Sequence, residues 1–280
     1  MKDQTPTSIV ISDLDGSLLD HHSYSFVAAL PVVEALERLG IPLILASSKT
    51  AAEIIALRAA LGNTHPFIVE NGAAIYVPTH SLPAQPTDTR VQGDYWVYEM
   101  APPRSQWLTL LAALAKEFPD EFVSFYSAGV TGIIEMTGLS AEAAQAANER
   151  CYSEPVKWLG SAQREAIFRR SLGDAGATVI RGGRFLSVSA SCDKGKALRW
   201  LRAQYQAHSP GDDVDDLAIG DSENDLPMLE AARTALVIRS PVHDFPTLTR
   251  TDRVIHSQRY GPEGWAEGVS QWLRAKGETI

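Results

Sequence analysis

Two carboxylates spaced two residues apart, Asp13 and Asp15, follow directly on the apolar run SIVIS in the segment DLDGSLLD. Residues i and i+2 of an extended exit address the same crevice, so one acid can attack or bind metal while the other moves a proton. Gly16 lets the backbone turn sharply beside a bound group. Taken alone, Asp-Leu-Asp-Gly is also the ordinary make-up of a solvated turn. A second acidic cluster changes that balance: GDSENDLPML sets Asp221, Asn224 and Asp225 after the run DLAIG, with Pro227 in the first turn of a helix. Two strand-end clusters in one parallel sheet can converge on a single hard cation with oxygen ligands. Asp225 as a bare helix N-cap would leave Asp221 without a role.

Ser47 closes the run PLILAS just before a helical pattern, whose free N–H groups and dipole favour an anion. Lys194 in CDKGKAL stands at another helix start, where a cation is out of place unless an anion is near. Each has an ordinary alternative, a turn serine and a solvated lysine. The four elements together describe a phosphate site with a metal.

The segments that must hold these residues alternate between two periods. SIVIS, PLILAS and PFIVE read as short buried strands. Between them lie a helical pattern over 27–39, with Gly40 at its end, and a second helix opened by the capping box Thr50–Glu53 and closed at Gly62. This β-α-β-α-β order predicts a Rossmann-like parallel sheet covered by helices. Five prolines between Pro78 and Pro103 mark a crossing into another domain. From there to about Phe185 strands and helices alternate, with Gly182 and Gly183 as a two-residue hairpin turn. The last third returns to the alternation of the first, with a helix over 194–205, strands at 216–220, 235–238 and 253–255, and a helix over 225–232. The expected architecture is α/β, a core formed by 1–84 and 187–280 and interrupted by an inserted α+β cap domain over 85–186. The apolar stripes within 27–39 and 107–118 are core positions.

Composition narrows the class. The 280 residues carry a formal net charge of −9, which argues against a nucleic-acid or anionic-membrane surface while leaving room for one anionic substrate in a locally basic pocket. Two cysteines, Cys151 and Cys192, make neither a disulfide framework nor a zinc site, and the histidines are scattered apart from the pair His21 and His22. No apolar run reaches the ~18 residues that span a bilayer, and the polar start MKDQTPTSIV lacks a signal-peptide core, so a cytoplasmic protein is expected.

In its four motifs and their order the chain resembles the haloacid dehalogenase superfamily: DLDGS as nucleophile motif, LILAS with its strand-end serine, DKGKAL as lysine motif and GDSENDL as acidic motif. The insertion between the second and third motifs resembles members with a large α/β cap there. ASSKTAAEI, PFIVENGAAIYVP, TGLS, SEPVKW, GGRF and GPEGWAEG narrow the resemblance to the mannosyl-3-phosphoglycerate phosphatase family. Ser17 stands where that pattern usually has Thr, and the middle of the cap, about 85–127, resembles it least. The resemblance implies an aspartyl-phosphate formed on Asp13 and a proton shuttled by Asp15. It implies Mg2+ held by Asp13, the Asp15 carbonyl and Asp221, and phosphoryl oxygens held by Ser47 and Lys194, with Asn224 and Asp225 in support. Lys49, Asn71, Arg184 and Glu154 are the candidates for reading a small phosphorylated sugar, with Arg150 and Ser153 weaker candidates. Alternatives are a phosphatase for glucosyl-3-phosphoglycerate or another sugar phosphate, a phosphohexose mutase, and a non-catalytic sugar-phosphate binder. No nucleic-acid or membrane partner is expected, and the chain is read as a monomer or small homo-oligomer.

Overall fold

The computed structural model describes residues 6–182, 184–209 and 213–279. In chain order the elements are β1 (Ser8–Ser12), α1 (Leu30–Arg38), β2 (Leu43–Ala46), α2 (Ala51–Leu61), β3 (Phe67–Val69), β4 (Ala74–Pro78), β5 (Arg90–Gln92), β6 (Tyr95–Glu99), α3 (Arg104–Leu114), β7 (Phe122–Ser124), α4 (Phe125–Thr137), α5 (Ala141–Asn148), β8 (Glu154–Trp158), α6 (Ala162–Asp174), β9 (Thr178–Gly182), β10 (Phe185–Ser189), α7 (Lys194–Ala207), β11 (Asp215–Gly220), α8 (Leu226–Ala231), β12 (Thr234–Arg239), β13 (Val254–Tyr260) and α9 (Gly261–Ala275).

Nine strands form one sheet in the order β13-β12-β11-β1-β2-β3-β4-β6-β5, parallel from β13 to β3. Every residue of β1, β2 and β3 is buried, which is why these strands read as unbroken apolar runs rather than alternating ones. Helix α1 buries Val32, Val33, Ala35 and Leu36, and fully burying a leucine such as Leu36 contributes roughly 1.5–3 kcal/mol. Gly40 follows α1 with a φ of +67°, the left-handed geometry that ends helices. The start of the expected helix is less regular: Val27–Ala29 is a 3₁₀ turn, and Val27 is exposed.

From β1 the chain winds outward through β2 and β3, whereas β11, β12 and β13 extend on the other side of β1. The strand order therefore reverses between β1 and β11. In open α/β sheets the crevice beyond the strands' carboxyl ends at such a reversal is where ligands bind.

A second, four-stranded antiparallel sheet has the order β7-β8-β10-β9. One cluster in this part of the chain packs Trp107, Leu111 and Phe118 with Phe168, Leu172, Leu186 and Val188; a smaller one gathers Phe125, Ile133, Ala144 and Ala147. Phe185 pairs with Gly182, so Gly182 belongs to β9; the expected hairpin turn also falls on Gly183, which lies outside the described residues. The chain divides into two compact units, Met1–Ser47 with Arg58–Tyr98 and Asp193–Ile280, and Ser48–Leu57 with Glu99–Cys192. These edges differ from the expected span 85–186: β5 and most of β6 belong with the larger unit, and the start of α2 with the smaller.

Candidate active site

The parallel register brings the motifs together before any side chain is considered. Ser12 lies beside Ile219 and Leu45, and Asp13, Asp221 and Ser47 are each the first residue past the end of one of three adjacent parallel strands. The Asp13 N–H donates to the Ile219 carbonyl at 2.8 Å, and its own carbonyl accepts from Ser12 Oγ at 2.7 Å. Trp265 Nε1 in turn donates to that Oγ at 2.9 Å. The GPEGWAEG segment thus pins the backbone of Asp13 from helix α9, a role the sequence did not reveal.

Lys194 opens α7, with Asp193 capping the helix by accepting the Lys196 N–H at 2.7 Å. Its side chain is fully buried, and Nζ donates to Asp13 Oδ1 at 2.5 Å and Asp225 Oδ1 at 2.7 Å. Burial alone would depress this ammonium, but Asp13 and Asp225 outweigh it and hold the pKa above the ordinary lysine value. Asp225 Oδ2 accepts the N–H groups of Asp221 and Ser222 at 3.1 and 3.2 Å. So Asp225 closes its own loop and anchors Lys194 instead of capping α8. Asn224 joins the same loop, its Oδ1 accepting from Ser222 Oγ at 2.6 Å.

A tight turn links these pieces. Glu70, Asn71 and Gly72 have φ of +47°, +60° and +94° in succession, and for Glu70 that conformation is costly. The Asn71 N–H donates to the Ser47 carbonyl at 2.9 Å, and Asn224 Nδ2 to Asn71 Oδ1 at 3.5 Å. At Gly72 a Cβ would stand 2.3 Å from the Asp193 carbonyl oxygen. Backbone meets backbone there, so the turn sets where α7 and Lys194 begin.

The donor set fits a hard divalent cation. Asp13, Asp221 and Asp225 are buried, with one carboxylate oxygen of each within 4.8 Å of the others. Among the described residues Asp221 Oδ1 is buried without a hydrogen-bond partner, an acceptor that a cation could satisfy. At Gly16 a Cβ would lie 2.6 Å from Asp221 Oδ2, so only glycine leaves that carboxylate room. Burial first, then Asp225, pushes Asp13 well above the ordinary carboxylate range against the pull of Lys194, with Asp221 and Asp15 adding to the rise. Asp221 is pushed up to about 6 by burial and Asp225, with His243 and Lys194 pulling the other way. One buried ammonium does not balance these acids, and a divalent ion bound by oxygens would. His243, which the sequence did not single out, brings Nε2 to 3.3 Å from Asp221 Oδ2.

The candidate sugar-reading residues are dispersed. Asn71 belongs to the turn just described. Lys49 is half-buried in the segment Ser48–Leu57 of the smaller unit. Arg184 is exposed, and Nη1 donates to the Met136 carbonyl at 3.2 Å at the end of α4. Glu154 is fully buried: Oε1 accepts the Tyr126 N–H at 2.8 Å and Oε2 pairs with Arg104, which also donates to the Asn148 carbonyl at 2.7 Å. Arg150 donates to Ser153 Oγ at 3.0 Å and to the Ser48 carbonyl at 2.8 Å. His21 and His22 are exposed.

A strand-end acid, a buried ammonium and an acid cluster at the switch point of a parallel sheet have the make-up of a ligand site of the open α/β class. Comparison with known proteins specifies it. A family profile for haloacid dehalogenase-like hydrolases matches residues 10–87, and one for sucrose-6F-phosphate phosphohydrolase matches 172–273. A glucosyl-3-phosphoglycerate/mannosyl-3-phosphoglycerate phosphatase from Methanococcoides burtonii is 32% identical over 262 residues, covering 93% of this chain and 95% of that one. The fold is shared with a haloalkanoate-superfamily phosphatase from Bacteroides thetaiotaomicron, at a TM-score of 0.65, 18% identity and coverage of 99% and 97%. It is also shared with the sucrose-phosphatase of Synechocystis solved with sucrose and phosphate, at a TM-score of 0.60, 17% identity and coverage of 95% and 98%. The chain belongs to the haloacid dehalogenase-like hydrolases and, within them, to the mannosyl-3-phosphoglycerate phosphatase family; it is a phosphoric monoester hydrolase. Among the described residues no helix is long and apolar enough to cross a membrane.

Proposed function

We propose that the protein is a Mg2+-dependent cytoplasmic phosphatase that hydrolyses mannosyl-3-phosphoglycerate to mannosylglycerate and inorganic phosphate. A carboxylate of Asp13 attacks phosphorus, the bond from phosphorus to the glycerate oxygen breaks, and Asp15 gives that oxygen a proton. Asp15 then takes a proton from water as the water attacks the aspartyl-phosphate, releasing phosphate and restoring Asp13. Ser47 and Lys194 hold the phosphoryl oxygens, and Asp225 and Asn224 keep Lys194 and the acidic loop in place. Asp13, Asp221 and the Asp15 carbonyl would hold Mg2+, which when bound offsets repulsion between a carboxylate and a phosphate dianion.

The observation that carries this reading is the buried contact of Lys194 Nζ with Asp13 Oδ1 at 2.5 Å beside the acceptor Asp221 Oδ1. A binding protein needs no buried nucleophile held on an ammonium. The inserted region over 85–186 would carry substrate specificity; the residues to test are Glu154 and Arg184 within it and Lys49 and Asn71 outside it. For Glu154 the two engaged oxygens favour a supporting task over direct contact. The name of the relative from Methanococcoides burtonii supports a second substrate, glucosyl-3-phosphoglycerate. Phosphate release from the mannosyl and glucosyl compounds side by side, with Mg2+, tests both. Preference for a phosphoglycerate glycoside over simple hexose phosphates is expected; equal or better turnover of hexose phosphates would overturn the narrow substrate assignment.

A further inference from the structure

The segment GPEGWAEG supplies no group to the proposed phosphate chemistry, yet its indole reaches the backbone of Asp13. Trp265 Nε1 donates to Ser12 Oγ at 2.9 Å, and that Oγ donates onward to the Asp13 carbonyl at 2.7 Å. Both side chains are fully buried. The relay uses the single N–H of the indole and the single O–H of the serine, so it runs one way, toward Asp13. Packing alone does not ask for it. The three residues before Ser12 (Ile9, Val10 and Ile11) are apolar and fully buried, and a small apolar residue would continue that run. A buried hydroxyl costs stability unless it is hydrogen-bonded, and a satisfied buried network fixes one arrangement where apolar contact allows several.

Helix α9 is shaped to deliver the indole. Gly264 and Gly268 share a face of the helix and sit directly on the sheet. At Gly264 a Cβ would stand 2.3 Å from the Arg259 carbonyl oxygen of β13, and at Gly268 it would stand 2.3 Å from Leu236 Cδ1 of β12. Larger residues there would lift the helix, and Trp265 with it, away from β1. What the relay holds is the peptide group that follows Asp13. On the other side of the same residue the Asp13 N–H donates to the Ile219 carbonyl at 2.8 Å. With both flanking peptides held, the direction in which the Asp13 side chain leaves the strand is set, and Lys194 Nζ meets its Oδ1 at 2.5 Å.

We propose that Trp265 and Ser12 are positioning residues for the nucleophile: the chain Trp265 Nε1–H to Ser12 Oγ–H to the Asp13 carbonyl ties helix α9 to the end of β1 and sets the line along which the Asp13 carboxylate approaches phosphorus. This rests on the reading of Asp13 as nucleophile under Proposed function. Neither residue touches substrate or the reacting atoms, so the effect belongs in kcat and not in substrate affinity. Misplacing an attacking atom by about 1 Å costs on the order of 10²-fold in rate.

The test is steady-state phosphate release by the full-length protein from mannosyl-3-phosphoglycerate and from p-nitrophenyl phosphate, with Mg2+. Wild type is compared with Ser12→Ala, Trp265→Phe, their double variant, the shape-matched pair Ser12→Thr and Ser12→Val, and Asp13→Asn, each checked for folding by circular dichroism melting. Ser12→Ala is expected to lose roughly 10–100-fold in kcat with KM within about twofold. Trp265→Phe should lose less, about 3–10-fold, because Ser12 keeps its own bond to Asp13. The double variant should match Ser12→Ala, since the indole acts only through the hydroxyl. Ser12→Thr should exceed Ser12→Val in kcat by about tenfold, a gap that side-chain volume does not produce. If Ser12→Ala does not fold, Trp265→Phe and the Thr and Val pair decide the matter. Wild-type kcat in folded Ser12→Ala and Trp265→Phe, beside an inactive Asp13→Asn, would overturn the relay and leave the nucleophile standing. Additive losses in the double variant, or equal kcat for Thr and Val, would overturn its hydrogen-bond basis. Turnover by Asp13→Asn at the wild-type rate would remove the nucleophile reading, and the task of the relay with it.

Discussion

Lys194 carries the electrostatics of the cluster. Its ammonium is fully buried between Asp13 and Asp225, and removing one partner of a buried charged set leaves the others unpaired. Lys194→Met should therefore destabilise the chelator-treated protein by about 3–5 kcal/mol in urea unfolding, far more than an exposed lysine would. Asp13→Asn should act differently. It keeps shape and a hydrogen-bond acceptor while removing the proposed nucleophile, so turnover should fall at least ~10⁴-fold with little loss of stability. At this scale the sequence was informative where the chemistry needs fixed spacing: DLDGS, DKG and GDSEND each hold their residues within one short segment. It was silent where partners come from distant segments. His243 with Asp221, Trp265 with Ser12 and Arg104 with Glu154 meet only after folding, and no local pattern predicts them.

At the scale of elements, the strand ends place the acids and the turns hold them. The turn Glu70–Gly72 is the clearest case, since its backbone lies against Asp193 and hydrogen-bonds to Ser47. Gly72→Ala adds a Cβ where none fits and asks alanine to adopt a φ of +94°; a loss of roughly 2–4 kcal/mol in unfolding measurements is expected, with weaker phosphate binding as α7 shifts. The capping box at α2 is present as read from the sequence: the Glu53 N–H donates to Thr50 Oγ1 at 3.2 Å, and the Thr50 N–H to Glu53 Oε2 at 2.8 Å. Thr50→Ala should cost about 1 kcal/mol. Strands β1, β2 and β3 were legible because burial on both faces leaves an unbroken apolar run. Helix α4 was not: Gly129 departs from helical geometry within it, and a broken helix has no sustained 3.6 period.

For the whole molecule, the alternation of strands and helices revealed a parallel sheet with an insertion, but not the insertion's edges. Strand β5 is exposed along its length and β6 only partly buried, so neither carries the apolar signature that ties β1 to the core. The fold's response to pH has a buried marker in Asp216, which pairs with Arg202 and accepts the Arg233 N–H. Burial raises its pKa above the ordinary value despite those partners. The folded state then holds that proton more tightly than the unfolded chain does, so its contribution to stability is full below the unfolded pKa and is lost as pH rises through the folded one. Relative to Asp216→Asn, wild type should lose stability as pH rises from about 4, measured by urea unfolding at several pH values; the opposite slope would contradict the assignment.

The most direct test of the central claim is mass spectrometry of a rapidly quenched single turnover with Mg2+ and mannosyl-3-phosphoglycerate. A phosphoryl group on the peptide that carries Asp13, absent in Asp13→Asn and in chelator, is the predicted result. Phosphate release by Asp13→Asn at the wild-type rate, or a phosphoryl group on a different peptide, would contradict it.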